Sequence, residues 1–433
     1  MANVRPFRGI RYDPDRVDLS QVVAPPYDII TPDDQQRYYR QDPKNVVRLI
    51  AGEVRASDHP GDNKYTRAAG FFQEWRNTGV LHQEPEAGGY VYGHIFVDPL
   101  TGERRSRVGL LCVVELEPFG NGILAHERTH ARAKADRLSL TRAVGANLSP
   151  VFALFQDAES SVRRLVEPVM RQSPRLSITS DGGEEHRVWP LPADDRFREI
   201  ARVLAASRLY MADGHHRYET ALNFRNRQRV EHPEAGPDAA FNFVLMLLVD
   251  VGDPGLVILP THRLLRDLDG FDGPALLQRL AASQPVVTRA DRESLLAAMR
   301  GQEGRHRVGI ALPGRRQATV DLPEPPDVGD PVARLDVSVL HREIFEKQLG
   351  LEERVLDEER YLSYWRNTDF VLDQAASGQA QAAFLLRPPA VSDVVAVAEA
   401  GKVMPQKSTY FYPKPLSGIV FNPLDPKTRV PAA

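Results

Sequence analysis

The 433-residue sequence predicts an α/β (α+β) protein. Three observations predict it. Short apolar runs bounded by Gly, Pro and Asp alternate with longer amphipathic runs. The stretch YVYGHIFVDPLTGERRSRVGLLCVVELE alternates on both sides of PLTGE, which is a hairpin pattern. LYMADGHHRYETALNF passes from an apolar strand through Asp-Gly directly into a helix.

In order along the chain, RPFRGIRYD is strand-like, and VAPPYDIITPDDQQRYYRQ is a rigid Pro-Pro corner followed by a helix. Thr31 is the N-cap of that helix and Pro32 its first residue. NVVRLIAG reads as a strand, and KYTRAAGFFQEWRNTG as a helix closed by Gly79. After the hairpin, Pro118, Gly120 and Gly122 form a breaker cluster. It marks the first boundary, and the chain reads as 1–118, 119–231 and 232–433. The central part carries HERTH, a helix at DRLSLTRAVGAN, a strand at SPVFALFQ and helices at SSVRRLVEPVMR and FREIARVLAAS. In the last part, NFVLMLLVD and LVILPTHRLL look like neighbouring strands. GPALLQRLAAS and DRESLLAAMR are helices, RVGIALPGRRQATVDL is a hairpin, and VARLDVSVLHREIFEKQLG is a long amphipathic helix. A strand at AAFLLRP and a helix at VSDVVAVAEAG follow. The tail MPQKSTYFYPKPLSGIVFNPL is too rich in aromatics for a disordered segment and is expected to pack.

Bulk properties exclude several classes. Hydrophobic residues make up 42% and charged residues 26%, ordinary for a soluble enzyme. The net charge of −3 gives no footprint for nucleic acid or an acidic membrane. No apolar run reaches the length of a membrane span, and MANVRPFRGIRYDP has no signal-peptide core. The single cysteine, Cys112, sits in GLLCVVEL and reads as a buried strand residue. One cysteine allows no internal disulfide, which fits the cytoplasm.

HERTH holds His126, Glu127 and His130 in the H-E-x-x-H spacing of zinc peptidases. That chemistry needs a helix through both histidines. Here Gly120 and Gly122 lie just upstream, so a helix would start at or inside the motif. Asp136 stands where a third ligand is found in extended motifs, but Ala133 replaces the glycine expected there.

ADGHHRYETAL offers a different site. Gly214 permits close backbone approach, and the first N–H groups of the following helix favour phosphate. His215, His216 and Arg217 add donors. Asp213 would repel an anion, and makes sense if it holds Mg²⁺ or positions a hydroxyl. Lys134 and Arg137 lie one turn apart and could reach phosphate. Lys407, Ser408 and Thr409 of MPQKST form a second anion-contact candidate, without the glycine spacing of a P-loop. Thr261, His262 and Arg263 of LPTHR follow Pro260 at a strand end. Tyr410, Phe411 and Tyr412 read as core aromatics or a base-stacking patch.

LAHERT…KADRL, NLSPVFALF, ADGHHRYETAL, LPTHR and MPQKSTYFYPK, together with APPYDII and NVVRLI, resemble in order a large prokaryotic family catalogued as domain of unknown function 1015. Within it, DGHHR resembles the signature of the ParB/sulfiredoxin-like superfamily, in particular the free serine kinases, which phosphorylate the hydroxyl of L-serine with ADP or ATP. The resemblance implies a central ParB/sulfiredoxin-like core over 119–231, flanked by N- and C-terminal α/β segments. By it, Glu127 is the catalytic base, oriented by His126, and Asp213 is the signature aspartate. Gly214, His215, His216 and Arg217 bind phosphate, while Thr261, His262, Arg263, Asn147 and Ser149 face the substrate. It further implies ATP or ADP with Mg²⁺, a serine-like partner, no nucleic acid and no membrane, and admits a homodimer. His130 is outside the shared motif. About 85 residues separate Glu127 from Asp213, which implies an insertion. A ParB-like nucleotide switch without small-molecule transfer is the alternative, and an H-E-x-x-H zinc hydrolase a third reading.

Overall fold

Strands from all three parts of the chain, 1–118, 119–231 and 232–433, share one sheet. The computed structural model describes residues 2–129, 131–300, 306–352 and 360–433. Among these, nine strands form a mixed sheet: β1 (Val4–Arg5), β2 (Gly88–Val97), β3 (Arg104–Glu115), β4 (Ile123–Leu124), β5 (Val151–Phe155), β6 (Leu176–Thr179), β7 (Glu185–Pro192), β8 (Leu209–Asp213) and β9 (Phe243–Asp250). Their order is β4-β8-β5-β9-β3-β2-β7-β6, with β1 on β3. β9 runs parallel to β5 and antiparallel to β3. That central place explains its unbroken apolar run, since both faces are covered. Gly109 of β3 lies against β9 so closely that a Cβ would meet Leu247 at 2.6 Å and the Leu248 carbonyl at 2.9 Å. Cys112 is buried in β3, and burial raises its thiol pKa.

The helices of this part follow their caps. α1 (Pro32–Gln41) has the Thr31–Asp34 capping box and Pro32 at its first position. α2 (Lys64–Asn77) is capped by Asn63 and followed by Gly79 at φ +75°. α3 (Ala131–Val144), α4 (Ser161–Met170), α5 (Asp195–Ala205) and α6 (His215–Glu231) are the other long helices. NVVRLIAG is not a strand: Val47–Ile50 form a short helix. Asn45 accepts the Val47 N–H at 2.9 Å, and Val46 donates to the Val22 carbonyl at 2.8 Å. Its apolar residues Val46, Val47, Leu49 and Ile50 are all buried, so the run carried no alternation to tell strand from helix.

The chain parts into two compact units, one reaching to Val257 and resuming at Pro413, the other spanning Ile258–Tyr412. These divisions differ from the expected ones near 118 and 231. Pairing of β9 with β3 on one side and with β5 on the other ties those three segments into one body. LVILPTHRLL is likewise not one strand beside β9. Val257–Ile258 and β10 (His262–Leu265) are separate, and β10 belongs to the second unit.

In the second unit β10, β11 (Val286–Arg289), β12 (His306–Leu312), β13 (Arg316–Leu322), β14 (Leu362–Trp365) and β15 (Ala382–Leu385) form a sheet ordered β11-β13-β12-β15-β10-β14. Every pairing in it is antiparallel. α7 (Gly273–Ala281), α8 (Arg292–Met299), α9 (Asp336–Leu340), α10 (Thr368–Ala376) and α11 (Val391–Glu399) accompany it. After α9 the expected long helix passes through a π segment, His341–Glu346, before Lys347–Leu349. The tail packs as expected, with Leu416, Ile419, Val420 and Phe421 buried. No helix among the described residues is long and apolar enough to cross a membrane.

Candidate functional site

β8 ends at Asp213 and α6 begins at His215, so the chain turns from strand to helix on one residue. Gly214 sits at φ +92°, a left-handed conformation that other L-residues adopt at a cost. The turn leaves the first N–H groups of a 17-residue helix beside the strand end.

Asp213 is held from both sides. Lys414 Nζ donates to its Oδ1 at 2.6 Å, and Arg217, one turn into α6, donates to Oδ2. Lys414 also donates to Asp28, and Arg217 to the Pro150 carbonyl. Two carboxylates and two cations thus form one network. The Lys414 side chain is only 7% exposed. Burial alone would discharge its ammonium, but Asp213 and Asp28 outweigh it and raise the pKa. Burial likewise works against the Asp28 carboxylate, and Lys414 with Arg217 turns the balance and lowers it.

Asp213 was expected to bind Mg²⁺ or orient a hydroxyl. The fit to Mg²⁺ is poor. An ammonium stands between the two carboxylates where a bridging dication would sit, and both Asp213 oxygens already have cationic partners. Arg217, expected on phosphate, is committed to Asp213 and Pro150 in this arrangement. Charge pairing therefore resolves the oddity of an acid in an anion cradle.

Glu127 and His126 lie in the segment between β4 and α3, not on a helix; α3 starts only at Ala131. β4 pairs parallel with β8, which brings this segment to the Gly214 turn. Glu127 Oε2 is 3.6 Å from His215 Nδ1, and Oε1 is 4.0 Å from His126 Nε2. The His126 backbone N–H donates to His215 Nε2 at 3.4 Å, so the proton of that neutral ring is on Nδ1, facing Glu127. Burial pushes both imidazoles down, His215 well below the ordinary value, and both are neutral at pH 7.

The zinc reading does not survive this geometry. No helix carries the motif through His126, and Asp136, the candidate third ligand, is engaged by Lys64, Tyr65 and Arg137. Burial opposes its charge, but Arg137 and Lys64 hold the carboxyl down at about 2. His130 lies outside the described residues.

The other candidates divide. Arg137 packs its guanidinium 3.9 Å over the Tyr27 ring and donates to the Ile50 carbonyl at 2.7 Å. With Tyr27, Ser149, Arg217 and Thr220 it lines a cavity of about 50 Å³ beside the network, room for a few waters. Thr220 Oγ1 is buried there without a hydrogen-bond partner among the described residues. Ser149 Oγ meets Ser417 Oγ at 2.6 Å. Lys134 pairs with Glu219 at 2.8 Å. Asn147 accepts from the Leu245 N–H and from Asn422, a structural commitment. His216 is half-buried in the first turn of α6. Thr261, His262, Arg263, Lys407, Ser408 and Thr409 belong to the second unit.

Sequence reasoning missed Asp28, Tyr27 and Lys414. The signal was in view, because APPYDII contains Tyr27 and Asp28, and MPQKSTYFYPK ends on Lys414. A buried relay supports the last of these. Arg107 donates to the Pro413 carbonyl at 2.6 Å, beside Lys414, and to His94 Nδ1 at 3.1 Å. His94 Nε2 then donates to Glu184 at 2.9 Å. His94, Glu184 and His186 bring metal-capable atoms within 4.8 Å of one another. A metal on His94 Nε2 would require a proton on Nδ1, the atom that accepts from Arg107, and the cluster reads as a buried hydrogen-bonded chain instead.

Residues 4–338 match the family described as protein of unknown function (DUF1015). No curated protein matches. Among solved structures, a free serine kinase in complex with AMP is 13% identical, with 70% of this chain and 86% of that one covered and a TM-score of 0.34. A conserved hypothetical protein from Pyrococcus furiosus is 14% identical over 72% and 93%, TM-score 0.34. SbnI with C-terminal truncation, from Staphylococcus aureus, is 12% identical over 71% and 85%, TM-score 0.33.

Proposed function

The chain belongs to the DUF1015 family, and we propose that it is a nucleotide-dependent phosphotransferase acting on the hydroxyl of a small molecule, free L-serine or a close relative. One observation carries the reading. Glu127, flanked by two neutral histidines, stands at the same turn where a helix N-terminus and the Lys414–Asp213–Arg217 network meet. This sets a carboxylate base beside cationic and N–H donors, the two requirements of transfer to an alcohol.

In the proposed reaction the substrate oxygen attacks the terminal phosphorus of ATP or ADP. Its proton passes to Glu127, and the bond from phosphorus to the nucleotide's bridging oxygen breaks, that oxygen leaving with the electron pair. His215 holds Glu127 through its Nδ1–H. Lys414 and the first N–H groups of α6 face the phosphoryl oxygens. Asp213 fixes Lys414 and Arg217 and orients the acceptor hydroxyl. No step is assigned to a metal held by Asp213.

A nucleotide-dependent switch is the second reading, favoured by one feature. Both cations are already seated on protein carboxylates, so phosphate must break those pairs to enter, and breaking them is a conformational change. Phosphorus NMR of the protein with L-serine, Mg²⁺ and either ATP or ADP separates the two. Phosphoserine should form, and Glu127→Gln should slow it by about 10²–10⁴-fold with an unchanged unfolding midpoint. Nucleotide binding without any phosphorylated alcohol would leave the switch; an undiminished rate in Glu127→Gln would remove Glu127 as the base.

A further inference from the structure

The second unit contains a cavity of about 390 Å³, within the range of small-molecule pockets. Arg263 of β10 lines it and is 1% exposed. Its guanidinium donates to the carbonyl of Thr261 and, at 3.4 Å, to those of Gln406 and Lys407. Nε has no partner, and no carboxylate pairs with this cation among the described residues. Burial lowers its pKa to about 10, with only the Tyr364 phenol opposing. A buried cation without a counter-charge is costly, and protein groups normally supply one.

The rest of the lining points the same way. Arg334, exposed at the cavity, has no ion pair among the described residues. Arg387 is spent on Asp336, which also accepts from His306 at 2.9 Å. Asp393 accepts from the Ala390 N–H at the start of α11. Three arginines against two aspartates leave one positive charge in excess. Thr261 and Ser408 add hydroxyl-bearing residues, and Leu335 and Leu386 an apolar wall. Arg263 is also what joins the LPTHR and MPQKST segments, through the Gln406 and Lys407 carbonyls.

We propose that this cavity is a second ligand site, which takes a small metabolite bearing an oxyanion, phosphate or carboxylate, whose charge Arg263 and Arg334 share. The site is independent of the phosphoryl-transfer reading. Calorimetric titration of the full chain with inorganic phosphate and, separately, with succinate tests it. Wild type is compared with Arg334→Ala, Arg263→Met and, as a control in the first unit, Arg217→Ala. A saturable isotherm is expected that is weakened tenfold or more by Arg263→Met, several-fold by Arg334→Ala, and unchanged by Arg217→Ala, whereas any phosphate bound at the Gly214 turn gives a separate isotherm that Arg217→Ala alters. Tighter phosphate marks a phosphorylated ligand, tighter succinate a carboxylate. If Arg263→Met does not fold, the exposed Arg334→Ala decides alone. Absence of saturable binding, or binding lost in Arg217→Ala but intact in Arg334→Ala, overturns the proposal.

Discussion

The two units treat buried cations in opposite ways. At the Gly214 turn, Lys414 and Arg217 each have carboxylate partners, and the pairs close into a network. In the second unit Arg263 is as deeply buried, yet among the described residues it meets carbonyls and, 5.2 Å away, the Tyr364 ring rather than a carboxylate. The first arrangement is complete without a ligand and must open to admit one. The second is incomplete, so an anion would finish it. The same residue chemistry therefore gives a charge-balanced corner in one place and an unbalanced cation in the other.

The largest effect that could break this contrast is loss of Lys414. Lys414→Met leaves Asp28 and Asp213 facing each other with one cation, and should destabilise the first unit by about 3–5 kcal/mol. Urea unfolding measures it, with Lys414→Arg, which keeps the charge, recovering much of the loss. A change under about 1 kcal/mol would show that the network contributes little to stability.

Acid tests the paired side next. The carboxyls of Asp136 and Asp28 are both lowered on folding. Their stabilisation is therefore complete above the ordinary aspartate value of 3.8 and fades as pH falls, for Asp136 down to about 2. That displacement corresponds to roughly 2 kcal/mol, so Asp136→Asn should lower stability by this amount at neutral pH and flatten the acid limb of a stability–pH curve. Lys414, raised instead, contributes fully at neutral pH and weakens only above its ordinary 10.5.

The smallest effect belongs to the unpaired side. Arg263→Met removes a charge that no carboxylate among the described residues balances, and keeps much of the volume. It should shift unfolding by about 1 kcal/mol or less. A loss as large as that of Lys414→Met would mean that the two cations are held alike after all.

Much of the fold was legible because its cues are local. Thr31 and Asp34 lie three residues apart and cap α1; PLTGE turns the hairpin; Asp213, Gly214 and His215 make the elbow in three consecutive residues. Where local cues were silent, reading failed. NVVRLI is too short and too apolar for its period to tell strand from helix, and the Pro118–Gly122 cluster marked a loop rather than the true division at Val257. The site was half legible for the same reason. Glu127 and the DGHHR element stood out by composition and order, but their meeting depends on β4 pairing with β8.

By itself, then, the sequence determined the mixed α/β class, the elbow and the family. Only the tertiary structure decided which charges neutralise one another. Lys414, Asp213 and Asp28 are far apart along the chain, and a lysine in a Pro-rich tail has the same local pattern whether it faces water or a buried carboxylate. Ion pairing depends on distance through space and on burial, and neither is set by neighbours in sequence. That is why Asp213 reads as a free acid in the sequence and as the centre of a balanced network in the fold.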